Sequence, residues 1–269
     1  MRRPETIAAR ASWQQIDFIS DLHLHAADPD TFATWEHYLR HTTAQAVFML
    51  GDLFDVWIGD DILSQPADTP SGDARCATDC AQVLHQAGQR LDLFFICGNR
   101  DFLLGSAALQ ACAMQGLNDP CVLELGAARV LLSHGDALCL DDVGYQEFRA
   151  LVRSPAWQSD FLRQPLEQRQ QVARQLRAQS EQHKRAHPVP SQVDAPTVLA
   201  WLHDARASVL VHGHTHQPAD HALADGKHRV VLSDWDMQAT PPRAQVLRLT
   251  LDATGAPVSW LRLSPAQAC

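Results

Sequence analysis

The chain has 269 residues, of which 46% are hydrophobic and 20% charged, and its formal net charge is −9. This composition supplies a full hydrophobic core and excludes general disorder. The acidic balance argues against a nucleic-acid-binding protein, which normally carries a basic surface. The N-terminal residues lack the apolar segment of a signal peptide, and no apolar run approaches the ~20 residues of a membrane span. Seven cysteines without a C-x-x-C pair favour a reducing compartment, so we expect a cytoplasmic protein.

Short apolar segments that end in polar, glycine-containing turns recur along the chain. Their length and their content of Val, Leu, Ile and Phe predict buried strands at 15–20, 45–50, 91–97, 129–133, 208–211, 229–233, 245–251 and 258–263. Helical patterns lie between the early strands, at 31–41 and 74–87, whereas only turns separate the late strands. This order predicts an α/β fold of two packed sheets flanked by helices, as a single domain over residues 1–269.

One segment, 141–203, contains no candidate strand and is interrupted by five prolines. Between residues 145 and 187 it carries eight Lys or Arg against four Asp or Glu. Trp157, Phe161 and Leu162 lie at helical spacing and predict an apolar face. We interpret this segment as a helical cap or lid inserted into the domain. The alternative is a solvent-exposed helical decoration with an ordinary charged surface.

Polar clusters directly follow five of the predicted strands. They are Asp21-Leu22-His23, Gly51-Asp52, Gly98-Asn99-Arg100-Asp101, His134-Gly135-Asp136 and His212-Gly213-His214-Thr215-His216. Each cluster alone is compatible with a turn or a buried polar group. Because ligands of parallel sheets bind outside the carboxyl ends of the strands, the five clusters are expected to converge on one crevice.

The clusters contain carboxylate, imidazole and amide groups but no thiolate, a set that favours Mn, Fe, Co, Ni or Zn. Seven of these side chains are candidate ligands: Asp21, His23, Asp52, Asn99, His134, His214 and His216. Seven ligands with one shared carboxylate are enough for two ions about 3.5–4 Å apart. Such a pair neutralises phosphoryl oxygens and lowers the pKa of a bridging water, so the sequence predicts a dimetal phosphoesterase.

The series DLH, GDLFD, GNRDF, SHGD and HGHTH resembles the calcineurin-like metallophosphoesterases across residues 16–251. The longer segments GDLFDVWIGDD and GNRDFLLG resemble the members of that family that act in lipid A synthesis of Gram-negative bacteria. The resemblance implies a four-layer α-β-β-α sandwich with a helical cap. It also implies hydrolysis of the diphosphate bond of a diacylated UDP-glucosamine, releasing UMP and the diacyl sugar 1-phosphate. A hydroxide held between two Mn²⁺ ions would attack the uridine-side phosphorus.

The resemblance further assigns roles to individual residues. One ion would be held by Asp21, His23, Asp52 and His216, and the other by Asp52, Asn99, His134 and His214, with Asp52 as the bridge. The resemblance assigns catalytic contacts with the phosphates to Asn99, Arg100 and His214. It assigns further substrate contacts to Asp142, Tyr145, Ser180, Lys184 and His187 of the cap. His187 stands where relatives commonly have lysine, and Gln217 where they more usually have arginine.

The cap would also bring the protein to the membrane. Its apolar face would receive the acyl chains, and its arginines favour anionic headgroups, so we expect peripheral attachment to the cytoplasmic face of the inner membrane.

The chemistry of the Arg100 side chain gives independent information about the substrate. Arginine stays charged and cannot protonate an alkoxide leaving group, but it binds phosphate through two hydrogen bonds. A phosphate monoester, with a second pKa of about 6, leaves without protonation. Arg100 therefore favours a diphosphate over an ordinary monoester as substrate. The structural alternative is a salt bridge between Arg100 and Asp101.

Other polar and aromatic residues beside the motifs are given supporting roles. His25 flanks the site, Asp101 and Asp136 orient ligands, Asp55, Asp60 and Asp61 either support ligands or cap helices, and Trp57 and Trp235 pack.

Two rival functions stay open. One is a dimetal phosphoesterase with a nucleotide or phosphomonoester substrate, and the other is a scaffold that has lost its metals, which the complete set of seven ligands disfavours.

Overall fold

The structure is a computed structural model that describes residues 4–66, 72–186 and 192–269, without the side chains of 177–186. Its strands are β1 Glu5–Ala8, β2 Gln15–Ile19, β3 Ala46–Leu50, β4 Asp92–Ile96, β5 Gln115–Leu117, β6 Cys121–Leu125, β7 Ala128–Ser133, β8 Val209–His212, β9 Ala219–Ala222, β10 His228–Val231, β11 Val246–Leu251 and β12 Pro257–Leu263. Its α-helices are α1 Pro29–His41, α2 Asp73–Ala87, α3 Ser106–Ala111, α4 Val143–Val152, α5 Pro155–Leu162, α6 Leu166–Ala186 and α7 Ala195–Asp204.

The strands form two six-stranded sheets. The first sheet has the order β12-β11-β2-β3-β4-β5, in which β2 to β5 are parallel and β11 and β12 are antiparallel additions. The second has the order β1-β6-β7-β8-β10-β9, in which β7, β8 and β10 are parallel neighbours. Both sheets are therefore mixed, and each has a parallel centre.

Strand β3 shows why these segments are apolar on both faces. Ala46, Phe48 and Leu50 point into the core between the two sheets, and Val47 and Met49 point into the core beneath the helices. A strand buried on both faces reads as a continuous apolar run, which is the pattern that predicted it.

Helices cover the outer face of each sheet. α1 and α2 pack on the first sheet, through residues such as Trp35 and Leu84. α7 packs on the second sheet through Val198, Trp201 and Leu202. The four layers α-β-β-α predicted from the family resemblance are confirmed.

Eight of the strands were predicted from the sequence, whereas β1, β5, β6 and β9 were not. β9, with the sequence ADHA, lies at the sheet edge and alternates between half-buried and exposed residues, so it has no apolar run. β6 is different because it is nearly fully buried and joins β7 through the two-residue turn at 126–127. Its short apolar segment, followed directly by a turn that contains glycine, was a usable signal.

The segment 141–203 contains α4, α5, α6 and most of α7, and no strand among its described residues. The predicted apolar face of α5 lies against the domain: the Trp157 and Phe161 rings stack 4.7 Å apart, and Phe161 belongs to the helix-side core. Among the described residues of the segment, the large apolar side chains Val143, Leu151 and Leu162 stay exposed, as does Leu140 just before it. Leu162 was predicted to share the apolar face of α5 but lies at its exposed edge. None of the described helices is long and apolar enough to cross a membrane. The role of 141–203 as a cap stays a prediction.

Candidate metal centre

The five polar clusters meet at one place, but they come from both sheets. β2, β3 and β4 of the first sheet lead to three of the clusters, and β7 and β8 of the second lead to the other two. The prediction that the clusters converge on one crevice is confirmed. The crevice is formed by two sheets, however, and not by the single parallel sheet from which it was predicted. The carboxyl ends of two facing sheets supply the site.

Two groups of possible metal ligands share Asp21. In one group, Asp21, His23 and His216 bring their ligand atoms within 4.8 Å of one another. The Nε2 atom of His216 lies 3.3 Å from Nε2 of His23 and 3.3 Å from Oδ1 of Asp21. The other group consists of Asp21, Asp52 and His134.

Asp52 lies between the two sets of predicted ligands. Its Oδ2 is 4.0 Å from Nδ1 of His23, and its Oδ1 is 3.8 Å from Nε2 of His134. Each carboxylate oxygen thus faces a histidine of a different set. A carboxylate in this position is suited to bridge two cations.

Asn99 joins the two remaining predicted ligands. Its Oδ1 atom lies 2.9 Å from Nε2 of His134 and 2.9 Å from Nδ1 of His214. The other ring nitrogen of His134, Nδ1, is 2.9 Å from the carbonyl oxygen of Leu50 and donates to it in the tautomer that leaves Nε2 as an acceptor. The ring is therefore oriented with Nε2 toward the centre.

The ligand-bearing turns have an unusual backbone. Five of the predicted ligands have positive φ, namely Asp21 (55°), His23 (50°), Asp52 (52°), His214 (67°) and His216 (52°). Non-glycine residues rarely adopt this region, and such strain concentrates at functional sites. The neighbouring glycine at 98 is required by space, because a Cβ there would lie 2.1 Å from Oδ1 of Asp52.

The electrostatics of the centre indicate a cation site. Burial raises the pKa of the Asp52 carboxyl to about 7. Burial lowers the pKa of His134, but the charges of Asp52 and Asp21 outweigh it and raise that pKa to about 9. Oδ1 of Asp21 and Nδ1 of His23 are buried and make no hydrogen bond. Buried ligand atoms without a hydrogen-bond partner, on carboxylate and imidazole groups, fit divalent metal ions.

Arg100 lies at the edge of this cluster. Its Nη1 donates to Oδ1 of Asp55 over 2.7 Å, and its Nε lies 3.6 Å from Oδ2 of Asp52. The alternative of a salt bridge to Asp101 is wrong. The Asp101 carboxylate instead accepts backbone N–H groups, at 2.7 Å from both Gly98 and Leu53, and so fixes two ligand-bearing loops.

The insertion contributes Tyr145 to the centre. The Tyr145 ring stacks on His214 with centroids 6.0 Å apart, and its hydroxyl donates to Asp136 over 2.6 Å. Asp142 caps α4 by accepting from the backbone of Tyr145. Ser180 and Lys184 lie on α6, but their side chains, like His187 as a whole, are outside the described residues.

The supporting residues near the motifs have definite partners. Asp60 accepts the N–H groups of Gly105 and Ala108 at the start of α3, and Asp61 binds Arg169 of α6. The indoles of Trp57 and Trp235 are buried, as predicted. The ring of His25 lies outside both ligand groups, and its Nδ1 accepts from Ala27.

Two further residues, Asp234 and Arg153, contact the loops of the centre and were not predicted from the sequence. Oδ2 of Asp234 lies 3.7 Å from Nδ1 of His216, on the side away from Asp21. Nη2 of Arg153, the residue that follows the end of α4, donates to the carbonyl oxygen of Gly98 over 2.9 Å. Asp234 follows the predicted strand at 229–233, so the same reasoning that found the other clusters could have found it. No local pattern pointed to Arg153.

Two mixed sheets sandwiched between helices, with carboxylate, imidazole and amide ligands at their carboxyl ends, define a metal-dependent phosphoesterase. The chain belongs to the calcineurin-like phosphoesterase family, whose model matches residues 15–218. It is 42% identical over 253 residues to a UDP-2,3-diacylglucosamine hydrolase of Stenotrophomonas maltophilia, covering 87% of this chain and 96% of that one.

Two further relatives carry the same name. The protein of Aeromonas hydrophila is 44% identical, with 83% of this chain and 91% of that chain covered. The protein of Aromatoleum aromaticum is 42% identical, with 90% and 95% covered. Among solved structures, Vps29 of Entamoeba histolytica is 14% identical, with 93% of this chain and 99% of that chain covered and a TM-score of 0.43.

Proposed function

We propose that this protein hydrolyses the diphosphate bond of UDP-2,3-diacylglucosamine, yielding UMP and 2,3-diacylglucosamine 1-phosphate in lipid A biosynthesis. The observation that carries the proposal is the position of Arg100 at the edge of a cluster of seven ligand-type side chains, three of them buried and four partly buried. Relatives that bear the name of this activity match 83–90% of the chain at 42–44% identity.

The seven side chains would hold two divalent ions, with Mn²⁺ as the proposed metal. Asp21, His23, Asp52 and His216 would bind one ion, and Asp52, Asn99, His134 and His214 the other. When bound, the ions would neutralise phosphoryl oxygens and lower the pKa of bound water. The position of Asp52 between His23 and His134 supports the bridging role.

The residues around the ions would bind and orient the diphosphate. Arg100 is about one quarter exposed, and its Nη1 atom is held by Asp55. Its guanidinium would bind the phosphate oxygens and stabilise the charge that grows there during attack on the uridine-side phosphorus. Asn99, which precedes Arg100, and His214, whose Nδ1 lies 2.9 Å from Oδ1 of Asn99, would contact the same group. Tyr145, packed on His214, would line the entrance for the sugar.

The helices of 141–203 would act as the cap that binds the acylated sugar, with Asp142, Ser180, Lys184 and His187 as further contacts. The exposed apolar side chains Leu140, Val143, Leu151 and Leu162 support contact with acyl chains or with the membrane surface. The excess of basic residues in this segment supports attraction to anionic lipids. The protein would thus bind peripherally to the cytoplasmic face of the inner membrane.

The proposal is tested with metal-free protein to which Mn²⁺ is added back. Three substrates are compared: UDP-2,3-diacylglucosamine, UDP-N-acetylglucosamine and p-nitrophenyl phosphate. We expect Mn²⁺-dependent turnover of the diacylated substrate far above that of the other two. Turnover of the simple esters without turnover of the lipid would support a catalytic metal centre but contradict the assigned substrate.

A further inference from the structure

Among the arginines of the insertion whose side chains the structure describes, one is almost completely buried against the domain. Arg169 lies one turn inside α6 and is 2% exposed. Its Nε donates to the carbonyl oxygen of Gln164 over 2.9 Å, and Nη1 donates to the carbonyl oxygen of Ile58. Nη1 and Nη2 also bind the two oxygens of Asp61, with the Nη1 contact at 2.9 Å. The guanidinium therefore makes its hydrogen bonds to the turn just before α6 and to the loop that follows β3.

The loop is shaped to receive this guanidinium. Gly59 has a φ of +133°, and a Cβ at that position would lie 2.3 Å from Nη1 of Arg169 and 2.9 Å from Oδ1 of Asp61. A side chain at 59 would displace the guanidinium as well as strain the backbone. The hydrogen bonds from Arg169 hold the pKa of the Asp61 carboxyl below its usual value. The loop and the arginine thus fit each other in space and in charge.

The same loop is fixed on its other side to the segment that carries Arg100. Oδ1 of Asp55 accepts from Nη1 of Arg100 over 2.7 Å, and the backbone N–H of Trp57 donates to the carbonyl oxygen of Arg100 over 3.0 Å. Asp60 binds the N–H groups of residues 105 and 108. Residues 55–61 therefore connect Arg100 directly to the base of α6.

We propose that Arg169 is a positioning residue that seats α6 on the 55–61 loop, and so fixes the far half of this helix relative to Arg100. The inference rests on the proposed function, because Ser180 and Lys184 are assigned to substrate binding there. Lys184 lies about 22 Å along the helix axis from Arg169, at about 1.5 Å per residue. A tilt of only about 3° at the base would move that end by about 1 Å, a misplacement that can cost up to ~10²-fold in rate.

The test compares Arg169→Met, which keeps the apolar stem, with Arg174→Met on the same helix. Arg174 is exposed and serves as the matched control. Asp61→Asn is a second variant, because Asp61 is 53% exposed and its replacement leaves the carbonyl contacts of Arg169 in place. Turnover of UDP-2,3-diacylglucosamine is measured beside that of bis(p-nitrophenyl) phosphate, a small probe that lacks the acylated sugar proposed to contact Ser180 and Lys184. Hydrogen exchange of the amides of residues 55–61 and 166–176 is measured on the same samples.

We expect Arg169→Met to lower kcat/KM for the diacylated substrate about 10- to 100-fold, mainly through KM, and to leave turnover of the small probe within about twofold. Asp61→Asn should act in the same direction with a smaller effect, and Arg174→Met should match the wild type. Exchange should accelerate in both segments of Arg169→Met. Equal loss of both substrates, or exchange and kinetics like those of Arg174→Met, would overturn the proposal. A wild type without turnover of the diacylated substrate would instead contradict the proposed function, and the exchange data would still test the seating of α6.

Discussion

The ring of Tyr145 stacks on the imidazole of His214, with centroids 6.0 Å apart and planes inclined by 27°. The Tyr145 hydroxyl also reaches Asp136, a buried carboxylate that Nε of Arg149 contacts at 2.7 Å. Helix α4 of the insertion is thus in direct contact with a predicted metal ligand. A change in the insertion has a physical route to the metal centre even without substrate.

Replacing Tyr145 by Phe should separate the contribution of the ring from the contribution of the hydroxyl. The variant keeps the stacking on His214 and loses a hydrogen bond to a charged group, so we expect a loss of about 1–2 kcal/mol in unfolding free energy. kcat/KM should fall less than tenfold, whereas Tyr145→Ala should cost more because the ring is lost as well. Urea unfolding and steady-state kinetics check both values. Identical kinetics for the two variants would show that the ring contributes nothing.

Asp52 should govern metal binding without supporting the metal-free fold. Its pKa of about 7 means that burial disfavours the charged carboxylate, so Asp52→Asn should leave the metal-free protein as stable as the wild type or more stable. Mn²⁺ at 100 times its Kd should stabilise the wild type by about 3 kcal/mol, which raises Tm by several degrees. The variant should lose this shift in calorimetry. A full Mn²⁺ shift in Asp52→Asn would argue against the bridging role.

Replacing Arg100 should lower kcat/KM more for a diphosphate than for an alkyl phosphate. Arg100→Lys keeps the charge but loses the two-pronged contact, and we expect about a 10²-fold fall in kcat/KM on UDP-2,3-diacylglucosamine. Arg100→His should lose a similar factor there. On an alkyl phosphate, whose leaving group needs a proton, the histidine variant should lose much less. If Arg100→His kept near wild-type activity on the diphosphate, the link between Arg100 and a leaving group that needs no proton would be contradicted.

The buried thiol of Cys112 should make the protein less stable at alkaline pH. Burial raises the pKa of this fully buried thiol from 9.0 to about 12, so the unfolded chain releases its proton first. Its contribution is present below pH 9 and is lost as pH rises toward 12, by about 1.4 kcal/mol per pH unit. Urea unfolding between pH 8 and 11 should give a shallower decline for Cys112→Ala. Parallel declines for variant and wild type would contradict this assignment.

The sequence predicted the two-layered sheet arrangement and the residues of the centre because both follow local patterns. Apolar runs marked β2, β3 and β4, and the polar turns after them hold candidate metal ligands. The pairing of Arg100 with Asp55, and of Arg169 with Asp61, joins residues 45 and 108 positions apart, which no local pattern encodes. The same limit explains why the alternative of a salt bridge between Arg100 and Asp101 could not be excluded from the sequence. Its neighbour in sequence, Arg100, turns to another carboxylate because Asp101 is fully used by backbone N–H groups.

The most direct test of the account is hydrolysis of UDP-2,3-diacylglucosamine in ¹⁸O-water with Mn²⁺, followed by mass spectrometry of both products. The account predicts UMP that carries one ¹⁸O atom and unlabelled 2,3-diacylglucosamine 1-phosphate, since water attacks the uridine-side phosphorus. Label in the sugar phosphate would reverse the site of attack. Absence of UMP from a Mn²⁺-loaded sample would contradict the proposed function itself.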